Sequence, residues 1–365
     1  MKNKFLLGKK ELSCTLINLI IVKMLFVYPR IMVINSGNAA WIQCLYVSAI
    51  SFLLYYICIK LYEKIGKISI MEACEQIGGK FLKITVGIII TAILISNIAI
   101  NIRLLPESIK TVLLPLTPIE LLFIVFIIAV SLGAFFGIYS ICRIHALFIP
   151  VIIICLGILF LFIVPNADIN NLFPIFGLGT YNLFVTGLDS LSIFSDILVL
   201  FIIMPFCENF SVAKKSGYTA MISGSVISFL IVLLYVLVYS YPTSTEFIFP
   251  SYQMTRLIKI GDFFQRVEAF FEYIWAILML LYSTAYLFII CHIWKETFNL
   301  KYYRELILPF IIIIGGISFI PGTLMELYKL SEIVARITPS ISFFIPILIA
   351  LAYRIKFKSK IKLQQ

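Results

Sequence analysis

Apolar residues in this chain come in long unbroken runs. Val151-Ile-Ile-Ile-Cys-Leu-Gly-Ile-Leu-Phe160 is apolar on every face that a helix or a strand would present. A barrel strand would alternate, and a surface helix would keep a polar stripe, so such runs predict helices surrounded by lipid or by other helices. Ten stretches of this kind, each close to the roughly 17 to 25 residues that cross a bilayer as a helix, are separated by polar breaks. They run Leu12 to Ile34, Ala40 to Leu61, Phe81 to Ile102, Ile119 to Ile138, Ile141 to Val164, Leu191 to Cys207, Tyr218 to Tyr239, Phe270 to Trp294, Leu306 to Ile320 and Ile337 to Tyr353. The expected class is all-α: a polytopic membrane protein with residues 1–365 as a single transmembrane domain.

Composition agrees: 62% of the 365 residues are hydrophobic and 13% charged, with a mean hydropathy of +1.08. That leaves too little polar surface for a soluble domain of this size. Lysine and arginine cluster before the first stretch (Lys2, Lys4, Lys9, Lys10), in the second connection (Lys60, Lys64, Lys67, Lys80, Lys83), in the sixth (Lys214, Lys215), in the eighth (Lys295, Lys301, Arg304) and in a basic tail over 354–365. The first connection, around Asn35-Ser-Gly-Asn38, has no charge, and the fifth, from Asn166 to Ser190, carries Asp168 and Asp189 without a cation. Short cation-rich loops stay in the cytoplasm, so both termini are expected there. The net charge of +11 then reads as topology and attraction to anionic lipid, not as a nucleic-acid footprint. The basic start runs into a full-length span without a small-residue cleavage site, so the first stretch is expected to remain in the mature protein. Eight cysteines show no CxxC spacing and no histidine cluster, and read as packing residues. No metal, cofactor or catalytic constellation is expected.

Two stretches carry a charge and a proline together. The first holds Lys23 and Pro29, the sixth Asp196 and Pro205. Proline breaks a helix interior, and an intramembrane charge marks a functional site, so two interrupted helices meeting near the midplane are predicted, with Pro29 and Pro205 at the breaks. Splitting the chain between them gives five-helix repeats over 12–164 and 191–353. Because five is odd, the second is inverted, with Pro29 opposite Pro205, Pro118 opposite Pro309 and Pro150 opposite Pro346.

A lysine at mid-span costs about 2.5 to 3.5 kcal/mol to insert, so Lys23 must face the interior and have a partner. Three roles fit it: an ion pair with Asp196 that touches no ligand, a contact to a substrate carboxylate, or a surrogate for a bound sodium ion or proton. Tyr282, Ser283 and Tyr286 share adjacent turns of the eighth span, and Asn97 and Asn101 make a polar stripe on the third. The candidate substrate-binding set is therefore Lys23, Met24, Phe26, Tyr28, Asn97, Asp196, Leu200, Tyr282, Ser283 and Tyr286. Glu208, Glu272, Glu326, His145 and His292 read as interfacial. The loop from Asn166 to Leu188 is expected to lie on the outer face. Within Tyr241 to Val267, a short helix around Met254-Thr-Arg-Leu-Ile-Lys-Ile-Gly261 is expected to cap the bundle.

Several motifs bear a family resemblance. Tyr28-Pro-Arg-Ile-Met-Val-Ile-Asn-Ser-Gly-Asn-Ala-Ala-Trp-Ile42, Lys60-Leu-Tyr-Glu-Lys-Ile-Gly66, Asn171-Leu-Phe-Pro-Ile-Phe-Gly177, Asp196 through Met204-Pro-Phe206 and Tyr273-Ile-Trp275 resemble, in order and spacing, the B subunits of spore germinant receptors of the GerAB and GerKB type. That resemblance implies the five-plus-five fold of amino acid, polyamine and organocation transporters and a place in the inner membrane of endospores. It also implies partnership with an A subunit and a lipoprotein C subunit, and binding of a small germinant, often an amino acid, that triggers germination. An autonomous amino acid permease working by alternating access and a scaffold that only holds the complex together are the other readings. The chain departs from the family where small glycines usually precede the Pro-Arg: here stand Val22, Lys23 and Met24. Helix unwinding without glycine costs more, and the lysine ammonium stands where exposed amides would otherwise meet a carboxylate.

Overall fold

In a computed structural model, residues 6–258 and 266–357 are described. Lys2, Lys4, the Lys259 to Gly261 part of the expected capping helix, and the tail residues Lys358, Lys360 and Lys362 lie outside them. Nearly all of the described chain is helical, and each expected stretch falls on a helical segment.

The first span is two helices, α1 (Lys9–Met24) and α2 (Tyr28–Ser36), joined by a turn over 25–27. Pro29 explains the break: it has no N–H, and its ring clashes with the carbonyl four residues earlier, that of Leu25. The chain re-forms a helix with Pro29 in its first turn, where a missing donor costs nothing. The amides of Leu25, Phe26 and Val27 stay bonded to the carbonyls of Ile21 and Lys23, so the break is a tight turn rather than open backbone.

Next come α3 (Ala40–Tyr62), α4 (Ile70–Val112), α5 (Ile119–Phe135) and α6 (Ile138–Ile163). Gly79, at φ 67°, kinks α4 where a side chain would be strained. The loop beyond α6 contains the short α7 (Thr180–Phe184) and leads into a 3-10 segment, Thr186–Ile197, continued by α8 (Leu198–Ile203). The sixth span is thus interrupted by a change of winding beside Asp196, and Pro205 opens the short 3-10 turn that ends it. Then follow α9 (Phe210–Val238), α10 (Pro250–Thr255), α11 (Val267–Thr297), α12 (Ile307–Ser318), α13 (Leu324–Pro339) and α14 (Ile345–Lys356), the last two joined through a π turn. The capping helix is α10, somewhat earlier than expected.

Among the described residues, seven helices are long and apolar enough to cross a membrane, and α5 is a shorter apolar helix. Burial sorts them: 83% of the most apolar window is inside the bundle for the sixth span and for α11, against 28% for α6. Leu147, Val151, Ile154, Ile158 and Leu161 follow one exposed stripe of α6, suited to acyl chains. Every residue from Leu12 to Met24 is buried, with α1 packed against α6, α9, α11 and the 3-10 segment. The first and sixth spans therefore lie side by side at the centre. At the terminal end of the bundle, Leu7 exchanges backbone hydrogen bonds with Phe206 and Glu208. At the distal end, the loop before α7 is pinned to Ser36, whose carbonyl accepts from the Leu178 amide.

Four expectations need correction, the first being His292, which is buried in α11 with Nε2 3.2 Å from Glu296. Glu326 is not in a loop: α13 begins at Leu324, capped by the Thr323 side chain, so the tenth span starts well before Ile337. Glu326, Lys329, Glu332 and Arg336 share one face of α13, while Leu327, Tyr328, Val334 and Thr338 are buried on the other. His145 is fully buried between helices, accepting from Asn18 Nδ2 on Nε2 at 3.2 Å and donating from Nδ1 to the Ile141 carbonyl at 2.8 Å. Glu272 is likewise buried, with Ser108 Oγ donating to it at 2.5 Å.

Candidate ligand site at the helix break

Lys23 lies in the last turn of α1, and Asp196 is the penultimate residue of the 3-10 segment. Their side chains meet at 2.9 Å with about 6% and 2% exposure, so neither charge is solvated except by the other and by nearby dipoles. The Lys23 ammonium also donates to the Ser192 carbonyl at 3.1 Å, and the Tyr286 hydroxyl donates to the other Asp196 oxygen. Tyr282 stacks on Tyr286 with centroids 4.4 Å apart. Above the pair, Ser192 Oγ donates to the Asp189 carbonyl at 2.8 Å, which leaves the Tyr28 hydroxyl as donor in its 2.7 Å contact with Ser192 Oγ. The first, sixth and eighth spans are bound together here by one polar cluster in an apolar core.

A cavity of about 40 Å³ opens beside this cluster. Of the candidate residues, Lys23, Phe26, Tyr28 and Asn97 line it, together with Asn101 from the same polar stripe as Asn97. Asp196 and Tyr286 reach it through Lys23. Phe26 forms one wall, stacked on Trp275 with centroids 3.9 Å apart. Met24, Leu200 and Ser283 are fully buried and are not among the lining residues. Sequence reasoning missed Ser192 and the α13 wall of Ser331, Val334 and Ala335. The signal for the latter was the amphipathic spacing of α13, obscured by its charges.

The chemistry on offer is specific. Two of the three ammonium hydrogens of Lys23 are taken by Asp196 and Ser192, leaving one for an acceptor in the cavity. Asn97 Nδ2 donates to the Ile93 carbonyl and to Thr338 Oγ1, and Asn101 Nδ2 to the Asn97 carbonyl, so both amides have their oxygens left, without partners among the described residues. The ion pair is neutral as a unit. The cavity therefore presents a donor, two acceptors and an apolar wall without net charge, matching a small amphiphile that carries both an acceptor and an N–H.

Comparison with known proteins decides the family. The profile of a family described as "Spore germination protein" matches residues 7–326. The chain belongs to that spore germination family. It is 24% identical over 283 residues to spore germination protein A2 of Bacillus subtilis (strain 168), covering 76% of each chain. It is 19% identical over 248 residues to spore germination protein B2 of the same strain, covering 68% of this chain and 67% of the relative. Among solved structures it is similar to Mhp1, a nucleobase-cation-symport-1 family transporter held closed with bromovinylhydantoin bound, with a TM-score of 0.63 and 12% identity over 93% of this chain and 80% of that one. This germination protein thus shares its fold with that transporter, and it is a multi-pass membrane protein. Its relatives are germination proteins and its structural neighbour a transporter, which agrees with a role other than enzymatic.

Proposed function

We propose that this chain is the germinant-binding integral membrane subunit of a spore nutrient receptor, sensing an amino acid or a similar small nutrient at the cavity beside Lys23. The single observation that carries this reading is the neutral, buried Lys23–Asp196 pair at the helix break, beside a cavity lined by Lys23, Asn97 and Asn101. A zwitterion matches that set: its carboxylate accepts from Lys23, its ammonium donates to the amides, and a small side chain rests against Phe26. Lys23 is then both structural partner and ligand contact. The chain sits in the spore inner membrane with both termini cytoplasmic, follows the 12–164 and 191–353 inverted repeats, and acts with an A subunit and a lipoprotein C subunit. Ligand binding stabilises one arrangement of the bundle that the partners read, a population shift.

The transporter fold also supports a second reading, an autonomous permease, which differs in one measurable respect. Vesicles containing this chain alone would accumulate labelled amino acid if it transports, and would not if it only senses. Spores lacking this chain, tested on a panel of amino acids, sugars and nucleosides, lose the response to one nutrient class under the receptor reading. Normal responses to every nutrient and mixture would defeat it.

A further inference from the structure

Two cavities lie end to end along α2. Beyond the one at Lys23 is another of about 140 Å³ toward the distal end, lined among others by Asn35, Asp189, Glu332 and Arg336. Tyr28, Ile31 and Ala335 line both, so these three side chains form the partition. At about 40 Å³ the inner cavity holds only a few water-sized bodies, so a molecule of amino-acid size requires the partition to part.

Over the distal cavity, Arg336 Nε donates to Asp189 Oδ2 at 2.9 Å, joining α13 to the 3-10 segment. Asp189 is three residues from Ser192, which Tyr28 and Lys23 both contact, so the cross-link, the partition and the ion pair share one short stretch of chain. The Arg336 side chain is 66% exposed and that of Asp189 33%, which makes the contact a water-screened pair, weak enough to open readily. A second carboxylate stands ready. Glu332 precedes Arg336 by four residues on α13, the favoured order for an acid and a base on one helix face, and it lines the same cavity without an ion-pair partner among the described residues.

We infer that Arg336 is a two-position latch over the entrance to the ligand cavity: paired with Asp189 it holds the sixth and tenth spans together and the entrance closed, and paired with Glu332 it leaves them free to separate. The inference rests on the Lys23 cavity being the ligand site, but its test needs no ligand.

Ala335→Cys places a thiol at the partition, and its alkylation by a maleimide in the full-length, detergent-solubilised chain, read by mass spectrometry of that peptide, reports opening. Asp189→Asn is expected to speed labelling about two- to fivefold, the range for losing an exposed pair, and Glu332→Gln to slow it by a similar or smaller factor. Both substitutions remove one negative charge near the thiol and so raise its thiolate fraction alike; opposite responses therefore cannot come from thiol chemistry. The exchanged pair Asp189→Arg with Arg336→Asp is expected to return the rate toward its starting value. Equal rates, or shifts in the same direction for Asp189→Asn and Glu332→Gln, overturn the latch. Should the cysteine disturb folding, amide hydrogen exchange across residues 186–197 in the Glu332→Gln chain carries the test: slower exchange supports the latch and unchanged exchange overturns it. Failure to find a germinant would leave this ordering of rates intact, so the two ideas fail separately.

Discussion

Lys23→Met removes a cation from a carboxylate that is about 2% exposed and retains only the Tyr286 hydroxyl as donor. Breaking a buried pair from one side costs about 3 to 5 kcal/mol, because the remaining charge must be neutralised or left unsolvated. Asp196→Asn strands the ammonium on the Ser192 carbonyl at a similar cost. The double variant leaves no charge to strand, and so is expected to be no less stable than either single one, with a coupling energy of at least about 2 kcal/mol. Equilibrium unfolding in mixed micelles, followed by far-ultraviolet circular dichroism, measures all four corners of the cycle. Simple additivity, or a Lys23→Met cost below about 1 kcal/mol, would refute the pair as the element that joins the first and sixth spans. The same variants separate structure from recognition: a full nutrient response in Lys23→Met spores would rule out Lys23 as the contact to a ligand carboxylate, whatever the variant costs in stability.

Tyr286→Phe deletes one buried donor to Asp196 and is expected to cost about 1 to 3 kcal/mol in the same unfolding assay. Phe26→Ala empties the wall stacked on Trp275, costing about 3 to 5 kcal/mol and widening the cavity, so that larger side chains are accepted in a nutrient panel. Gly177, at φ 50°, has no room for a side chain, since a Cβ would lie 1.9 Å from the Ser36 carbonyl oxygen. Gly177→Ala should therefore free the 164–185 loop from α2, read as faster limited proteolysis there with the rest of the bundle intact.

What was legible in the sequence was what lipid makes expensive. A mid-span lysine, a buried aspartate and a proline in an apolar run each cost enough that their partners were foreseeable, and Lys23, Asp196, Phe26, Tyr28 and Asn97 do gather at one break. Ser192 was not legible, because its role comes from a carbonyl and a hydroxyl oriented by 3-10 winding, which has no residue signature in the run Leu191 to Ile197. The α13 wall was hidden for the opposite reason. Its charged face looks like a loop in a hydropathy reading, and only the spacing of Leu327, Tyr328, Val334 and Thr338 betrays the buried side. His145, beside Arg143 near a span end, and Glu272, at the start of the eighth span, read as interfacial from their positions; Asn18 and Ser108, far away in sequence, supply the hydrogen bonds that allow their burial.

Occupancy of the cavity by a nutrient is tested most directly by equilibrium binding of the radiolabelled compound to which spores lacking this chain no longer respond. The purified chain is compared with Ser331→Trp, which fills the cavity from α13 and leaves Lys23 and Asp196 unsubstituted. Saturable binding to the wild-type chain, lost in Ser331→Trp while its unfolding midpoint is kept, is the predicted result. Equal binding to both, or none to either, would contradict a germinant site at the break.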